Sequence, residues 1–302
     1  MKKIFVTGGA GFIGSNIVRE LLTQDYRVTA YDNLHTGASD NLPEGAELIT
    51  GDIRDEQKLS ESIAGHDAVI HLAALAIVPD SVKDPEGTFA VNLDGGKNLL
   101  AVMKQHQIKK LVYTSSAAVY GAPDKQPIAE DDPKHPINPY GESKLEFEKE
   151  CARANLDWDL DVTTFRYFNP FGPGENHDPE THAVPNFIQA TLDKKPVPLY
   201  WNGDQIRDFF YVGDLAFAHV KALDLKGFQT YNLGSGTGIK VRDLLEKIFE
   251  IVGHRTEIED LGERPGDPPV LLADVSKAKH EIGWSPTPID EALKLTIDSL
   301  AK

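Results

Sequence analysis

Tyrosine and lysine stand four residues apart in Tyr140-Gly141-Glu142-Ser143-Lys144, just after Asn138-Pro139. Asn before Pro opens a helical pattern, and that spacing puts both side chains on one helical face. An ammonium beside a phenol favours the phenolate, lowering a pKa that starts at about 10. A tyrosine so tuned can take or give a hydroxyl proton near neutral pH. With nine tyrosines in the chain, a chance Tyr-x-x-x-Lys is unremarkable. The second chemical feature is Thr114-Ser115-Ser116-Ala117-Ala118-Val119-Tyr120-Gly121, which directly follows the apolar run Lys110-Leu111-Val112-Tyr113. Ligands of an open α/β sheet sit beyond the carboxyl ends of its strands, so these hydroxyls are expected to point into that crevice. A serine there can hydrogen-bond a substrate oxygen while Tyr140 moves its proton.

The third feature lies at the start of the chain. The apolar run Ile4-Phe5-Val6-Thr7 meets Gly8-Gly9-Ala10-Gly11-Phe12-Ile13-Gly14, and a helical pattern follows through Ile17, Val18, Leu21 and Leu22. Glycine at 8, 11 and 14 permits a tight turn, close approach to a pyrophosphate, and packing of helix on strand. The N–H groups at the helix start then face the anion. Asp32 ends the next apolar strand, where an acid can hold an adenosine ribose through its 2′-hydroxyl. Strand, turn, helix, strand and acid in this order predict a dinucleotide site, and Asp32 favours NAD over NADP.

Those residues need a scaffold. Strand-like runs at 46–50, 68–72, 110–114 and 162–166 alternate with helical stretches near 55–64, 84–107 and 139–154. The alternation predicts an α/β fold, a doubly wound parallel Rossmann sheet over residues 1–166. From 167 the rhythm breaks into Asn169-Pro170-Phe171-Gly172-Pro173-Gly174 and shorter mixed elements, with amphipathic helices near 241–252 and 289–300. Residues 167–302 are expected to form a smaller α/β substrate-binding region, interleaved with the first. Apolar residues at Leu93, Leu99, Leu100, Val102, Met103 and Phe147 exceed what one core-facing stripe needs.

Composition narrows the function classes. A chain of 302 residues with 40% apolar and 26% charged residues is an ordinary globular protein. No segment reaches the run of about eighteen apolar residues that spans a bilayer, and Lys2-Lys3 is too slight for a secretory leader. The lone Cys151 excludes an internal disulfide and suits a reducing cytoplasm. With 47 acidic against 31 basic residues the net charge is −16, which disfavours nucleic acid as a general partner. None of the ten histidines forms a helical pair with an adjacent acid, and His177 and His182 fall in a Pro/Asn/Gly/Asp-rich loop. No metal site is expected.

Taken in order, these motifs resemble the extended short-chain dehydrogenase/reductase family, in its NAD-dependent nucleotide-sugar epimerase/dehydratase branch. The resemblance covers essentially the whole chain. Besides the features above it rests on Asp32-Asn33-Leu34, Gly51-Asp52-Ile53-Arg54-Asp55, His71-Leu72-Ala73-Ala74, Arg166-Tyr167-Phe168-Asn169-Pro170, Arg207-Asp208-Phe209 and Arg264-Pro265-Gly266-Asp267. It implies that Tyr140 is the acid/base, that Lys144 holds the nicotinamide ribose and tunes Tyr140, and that Ser116 orients the sugar hydroxyl. Cofactor contacts are implied for Gly8, Gly11, Phe12, Ile13, Gly14, Asp32, Asn33, Asp52, Ile53, Leu72, Ala73, Ala74, Asn92, Thr114, Ser115, Tyr140, Lys144 and Tyr167. Substrate contacts are implied for Ser116, Tyr140, Asn169, Arg207, Arg264, Asp267 and Leu271. Arginine at 207 and 264 suits bidentate recognition of a diphosphate.

The branch follows from what is missing. Dehydratases and decarboxylases of the family carry an acid just after the strand-end hydroxyl, whereas this chain has Ala117-Ala118, which cannot protonate a leaving group. The resemblance therefore implies C4 epimerisation of a UDP-hexose through a transient 4-keto sugar, with no net redox and a tightly held NAD. Leu271 falls at the family's gate for N-acetyl sugars; its bulk favours UDP-glucose and UDP-galactose over UDP-N-acetylglucosamine. Two departures stand out: Trp201 where relatives usually have glycine, and Ala76 where some carry lysine. Other nucleotide-sugar 4-epimerases, an NAD-linked nucleotide-sugar dehydrogenase or reductase, and a non-enzymatic NAD-binding sensor are the alternatives. Relatives dimerise through the helices near 84–107 and 139–154, so a homodimer is implied by resemblance.

Overall fold

The computed structural model describes residues 1–175, 183–262 and 268–300. Its first half alternates as β1 (Lys3–Thr7), α1 (Phe12–Thr23), β2 (Arg27–Asp32), β3 (Glu47–Thr50), α2 (Glu56–Ile63) and β4 (Ala68–His71). Then come α3 (Val78–Lys83), α4 (Pro85–Phe89), a π-helical turn (Ala90–Gly95), α5 (Gly96–Gln105), β5 (Lys110–Ser116), α6 (Pro139–Trp158) and β6 (Asp161–Tyr167). The second half begins with β7 (Asn169–Phe171), α7 (Ala183–Leu192), β8 (Val197–Leu199), β9 (Ile206–Arg207), β10 (Phe209–Tyr211) and α8 (Val212–Ala222). It closes with β11 (Phe228–Leu233), β12 (Ile239–Lys240), α9 (Val241–Val252), β13 (Ile258–Asp260), β14 (Val270–Leu271), α10 (Ser276–Ile282) and α11 (Ile289–Leu300).

The main sheet has seven strands in the order β3-β2-β1-β4-β5-β6-β11, parallel from β3 through β6. Central strands of such a sheet are covered on both faces and therefore apolar throughout; Ile4, Phe5 and Val6 of β1 are fully buried. Strand order reverses between β1 and β4, and there the carboxyl ends splay into the crevice that takes ligands in this class of sheet. Thr7, Asp32, His71, Ser116 and Tyr167 all occupy the carboxyl ends of their strands.

By packing, the chain divides into two units. One comprises Met1–Gly121, Asp131–Tyr167 and Leu215–Tyr231; the other comprises Ala122–Glu130, Phe168–Asp214 and Asn232–Lys302. Its path crosses between them repeatedly, and α8 leads back to supply the sheet's outer strand. The first unit's core joins Phe5, Tyr31, Leu59, Val69 and Leu111 to the helices above them. The second unit's core brings α7, α9 and α11 together through Phe187, Ile188, Leu244, Leu245, Ile248 and Leu293.

The apolar excess on α5 is accounted for inside the chain. Leu99, Leu100, Val102, Met103 and Phe147 belong to the first unit's own core, and Leu93 packs against it. A Cβ on Gly96 would fall 2.5 Å from the Phe147 ring, so α5 meets α6 closely as well as the sheet. A helix buried on two sides needs more than one apolar stripe. The excess is therefore no argument for a second subunit.

Candidate active site

The glycine turn is closed against itself but open on one side. A Cβ on Gly8 would lie 2.7 Å from Ala73 N, and one on Gly14 would lie 2.1 Å from Gly8 O. On Gly11 it would meet only Gly8 O, at 3.4 Å. No side chain caps α1 at Gly11, and no acid occupies its first turn, so the positive end of the helix dipole is left for a ligand. Asp32 Oδ2 accepts from Ala10 N at 2.9 Å and Oδ1 from Leu34 N at 2.8 Å. The carboxylate is thereby pinned beside the turn, with further lone pairs to receive ribose hydroxyls. Asn33 Nδ2 donates to Asp52 Oδ2 at 3.1 Å, joining two more of the implied contacts. Arg54, hydrogen-bonded to that carboxylate, holds Asp52 well below the usual carboxylate range. These residues fit an NAD molecule by donor chemistry and by space.

Local rules explain the second cluster. Asn138 caps α6 by accepting from Gly141 N at 2.8 Å, with Pro139 in the first turn. Gly141 lets the helix approach the turn after β5, since a Cβ there would strike Ala118 O at 2.5 Å. Ser143 Oγ donates to Tyr140 O at 2.8 Å and accepts from Asn92 Nδ2 at 3.0 Å. Lys144 Nζ donates to Thr114 O at 3.0 Å and lies 5.9 Å from the centroid of the Tyr140 ring. Ser116 Oγ accepts from Ala118 N at 3.2 Å and hydrogen-bonds Tyr140. Ser116, Tyr140 and Lys144 are thus together in one unit.

Their electrostatics differ from expectation. Burial pushes the Tyr140 phenol above its usual value, and the hydrogen bond with Ser116 pulls the other way. Burial brings the Lys144 amine down to about 7, opposed by the Glu148 carboxylate. In the protein alone, then, burial sets the net direction at Tyr140, and Ser116 is a neighbour that pulls the phenol down.

Strand geometry corrects a second expectation. Side chains alternate along a strand, so Thr114, Ser115 and Ser116 cannot all face the crevice. Ser115 Oγ turns to Glu148 Oε1 at 2.5 Å, and Thr114 Oγ1 pairs with the Tyr167 hydroxyl at 3.0 Å. Tyr167 is also 2.6 Å from His219 Nε2, and His219 Nδ1 is 2.9 Å from Leu215 O. That second contact makes Nδ1 the protonated nitrogen, so the tyrosine donates to Nε2. Burial drives His219 down to about 4, which keeps this chain neutral. Asn92 sits in the π-helical turn, a feature that often re-aims a side chain. Its amide donates to Leu75 O and Ser143 Oγ and accepts from Leu75 N, which leaves only oxygen lone pairs for a cofactor.

In the second unit, Arg207 of β9 is flanked by Ile239 of β12 and by Leu271 of β14, each in register with it. Asn169 opens β7 and pairs with Phe209. Buried Asp208 accepts from Ser235 N, Ser235 Oγ, Gly236 N and Ala273 N, and so shapes the loop after β11. Trp201 has φ 53 and ψ 32, a left-handed conformation costly for a bulky residue; hence the usual glycine. Arg264, Asp267, His177 and His182 lie outside the described residues. Among the described residues no cluster of three His, Cys, Asp or Glu could hold a metal, and no helix is long and apolar enough to cross a membrane.

Glu148, Arg166, His219 and Asp208 were not singled out individually from sequence. Glu148 carried one usable signal, standing four residues beyond Lys144 on the same helical face.

Comparison with known proteins identifies the family. Residues 4–234 match the family model described as the NAD dependent epimerase/dehydratase family. The UDP-glucose 4-epimerase of Corynebacterium glutamicum is 38% identical over 307 residues, covering 95% of this chain and 92% of that protein. The UDP-glucose 4-epimerase of Thermotoga maritima, solved with UDP-glucose, superposes with a TM-score of 0.95 at 34% identity, covering 99% of this chain and 98% of that one. The UDP-N-acetylglucosamine 4-epimerase of Methanobrevibacter ruminantium superposes with a TM-score of 0.94, also at 34% identity and over 99% and 98% of the two chains. The chain belongs to the NAD-dependent epimerase/dehydratase family.

Proposed function

We propose that this chain interconverts UDP-glucose and UDP-galactose by NAD-dependent epimerisation at C4. The observation that carries the reading is the meeting of Ser116, Tyr140 and Lys144 at the carboxyl end of β5, in the same unit as the glycine turn and Asp32. Gly8, Gly11, Phe12, Ile13 and Gly14 cradle the pyrophosphate, and Asp32, Asn33, Asp52 and Ile53 hold the adenosine end. NAD, when bound, supplies the acceptor that takes the C4 hydrogen with its electron pair and later returns it. Tyr140 Oη removes the proton of the sugar 4-hydroxyl in the first half-reaction and restores it in the second. Ser116 Oγ, oriented by Ala118 N, hydrogen-bonds the same sugar oxygen. Lys144 grips the nicotinamide ribose with the ammonium hydrogens that Thr114 O does not use. Together with the nicotinamide charge it favours the phenolate against the burial that opposes it. Ala117 and Ala118 offer no acid for a leaving hydroxyl, so the 4-keto sugar is reduced rather than dehydrated. Asn169, Arg207, Arg264 and Asp267 bind the nucleotide diphosphate, and Leu271 limits bulk at the sugar.

The same reading makes the protein a cytoplasmic homodimer. The dimer rests on family resemblance, and light scattering during gel filtration tests it. The function is tested by incubating the purified protein, without added NAD, with UDP-galactose and separately with UDP-N-acetylgalactosamine, following each sugar by NMR. Conversion of UDP-galactose alone is expected. Conversion of both makes the Leu271 gate permissive; conversion of neither refutes the assignment.

A further inference from the structure

A buried ion pair stands behind the site and has no part in the steps above. Glu148 and Arg166 are 7% and 5% exposed. Arg166 Nη2 donates to Glu148 Oε2 at 2.6 Å and Nε donates to Oε1 at 3.0 Å, a two-pronged arrangement with strict geometry. Arg166 Nη1 donates to the Tyr120 hydroxyl at 2.7 Å, and Ser115 Oγ donates to Glu148 Oε1. The cluster therefore joins β5, the turn after it, α6 and β6. Each anchor adjoins a site residue: Ser115 precedes Ser116, Arg166 precedes Tyr167, and Glu148 stands one helical turn beyond Lys144.

A buried pair of this kind is weak evidence for stability, because desolvation offsets the attraction. Its place in the structure points to another use. We propose that Glu148 is a positioning residue for the reaction: through Ser115 and Arg166 it fixes the Ser116 strand end against α6, and its charge keeps the Lys144 side chain an ammonium. The proposal rests on the reading of Tyr140 and Lys144 given above.

The surroundings of Lys144 leave that task to Glu148. From α6 itself come Tyr140 and Glu148. From β5 come Thr114 O and the Tyr113 ring, 5.2 Å from Nζ. From β4 comes His71, neutral because burial, with the Lys144 charge, drives it down to about 3. On β6, burial pushes the Tyr167 phenol well above its usual value, and Arg166 is paired with Glu148 itself. Lys134, in the segment before α6, feels both Arg166 and Glu148. Among these groups Glu148 is the carboxylate, and it is the neighbour that raises the Lys144 pKa against burial.

The experiment compares wild type with Glu148→Gln, Arg166→Gln and Tyr120→Phe, each purified with its own NAD. Two quantities are read: kcat against pH from about 5.5 to 9.5, and the pH at which Lys144 becomes acetylated in competitive labelling followed by peptide mass spectrometry. Losing a unit charge one helical turn away moves a neighbouring amine by about one pH unit. In Glu148→Gln the basic limb of kcat and the onset of Lys144 labelling both move down by about one unit. Activity then falls about tenfold at pH 8, while KM stays within about twofold. In Arg166→Gln, where the carboxylate acts on Lys144 unopposed, both move up. Tyr120→Phe removes a neutral partner and leaves both midpoints in place. Midpoints that coincide with wild type in whichever charge variant folds overturn the proposal, whether or not kcat falls at every pH. Labelling reports it even if Tyr140 proves dispensable, so its failure is separable from failure of the catalytic reading.

Discussion

Replacing Lys144 with methionine should strengthen the cofactor-free protein at low pH and weaken it at high pH. Lys144 is 3% exposed, and burial takes its amine from 10.5, its value in an exposed chain, to about 7. Between these limits the unfolded chain holds a proton that the folded chain has released, so wild-type stability rises with pH across that window. Below about 7 both states are charged and the cost of burying the ammonium is present in full; above 10.5 it has vanished. At 1.36 kcal/mol per unit, the whole window is worth about 5 kcal/mol, and the part between pH 7 and pH 9 about 2 kcal/mol. Methionine carries no such cost but forfeits the hydrogen bond to Thr114 O, leaving a carbonyl unpaired at about 1 to 2 kcal/mol. The variant should therefore be about 3 kcal/mol more stable than wild type at pH 6, with the advantage shrinking and then reversing near pH 10. Urea unfolding of NAD-free protein, followed by circular dichroism at pH 6, 7, 8 and 9, gives the difference directly, because groups common to both proteins cancel. A difference that does not change with pH would refute the argument that Lys144 is buried at the expense of its charge.

Three further outcomes follow from contacts already described. Phe147→Ala removes a fully buried ring that packs edge-on against Tyr113 and His71; it should cost about 3 to 5 kcal/mol in urea unfolding. Ser116→Ala removes the hydrogen bond that pulls the Tyr140 phenol down. Its kcat should fall about 10-fold to 100-fold, and the acidic limb of its pH profile should move to higher pH. Arg207→Ala should weaken UDP binding about 10-fold to 100-fold by calorimetry, the value of charged hydrogen bonds to a diphosphate.

Much of the site could be read from residues alone because it depends on local rules. Gly8 and Gly14 mark a turn that tolerates no side chains there, Gly11 keeps its open side clear, and Asp32 is placed by the length of one βαβ unit. Tyr140 and Lys144 share a face because helices have a fixed period. What stayed hidden depends on which surface an element buries. Ser115 could have been separated from Ser116 by strand alternation alone, but its destination, Glu148, reads in sequence as one more charged residue on an amphipathic helix. The apolar surplus around α5 arises because a helix packed against both a sheet and α6 exceeds the single-stripe pattern. The π-helical turn around Asn92 carries no period of its own. Depression of Tyr140 by Lys144 is a pairwise inference, and it omits burial, which acts on both groups at once.

The central claim is that hydrogen leaves C4 of the sugar with its electron pair and returns to the same carbon while Tyr140 handles only the hydroxyl proton. UDP-galactose deuterated at C4, converted in ordinary water and followed by NMR, tests it most directly. The account predicts UDP-glucose that keeps the deuterium at C4 through complete equilibration. Loss of the label to solvent would mean that C4 is deprotonated rather than oxidised, and would contradict it.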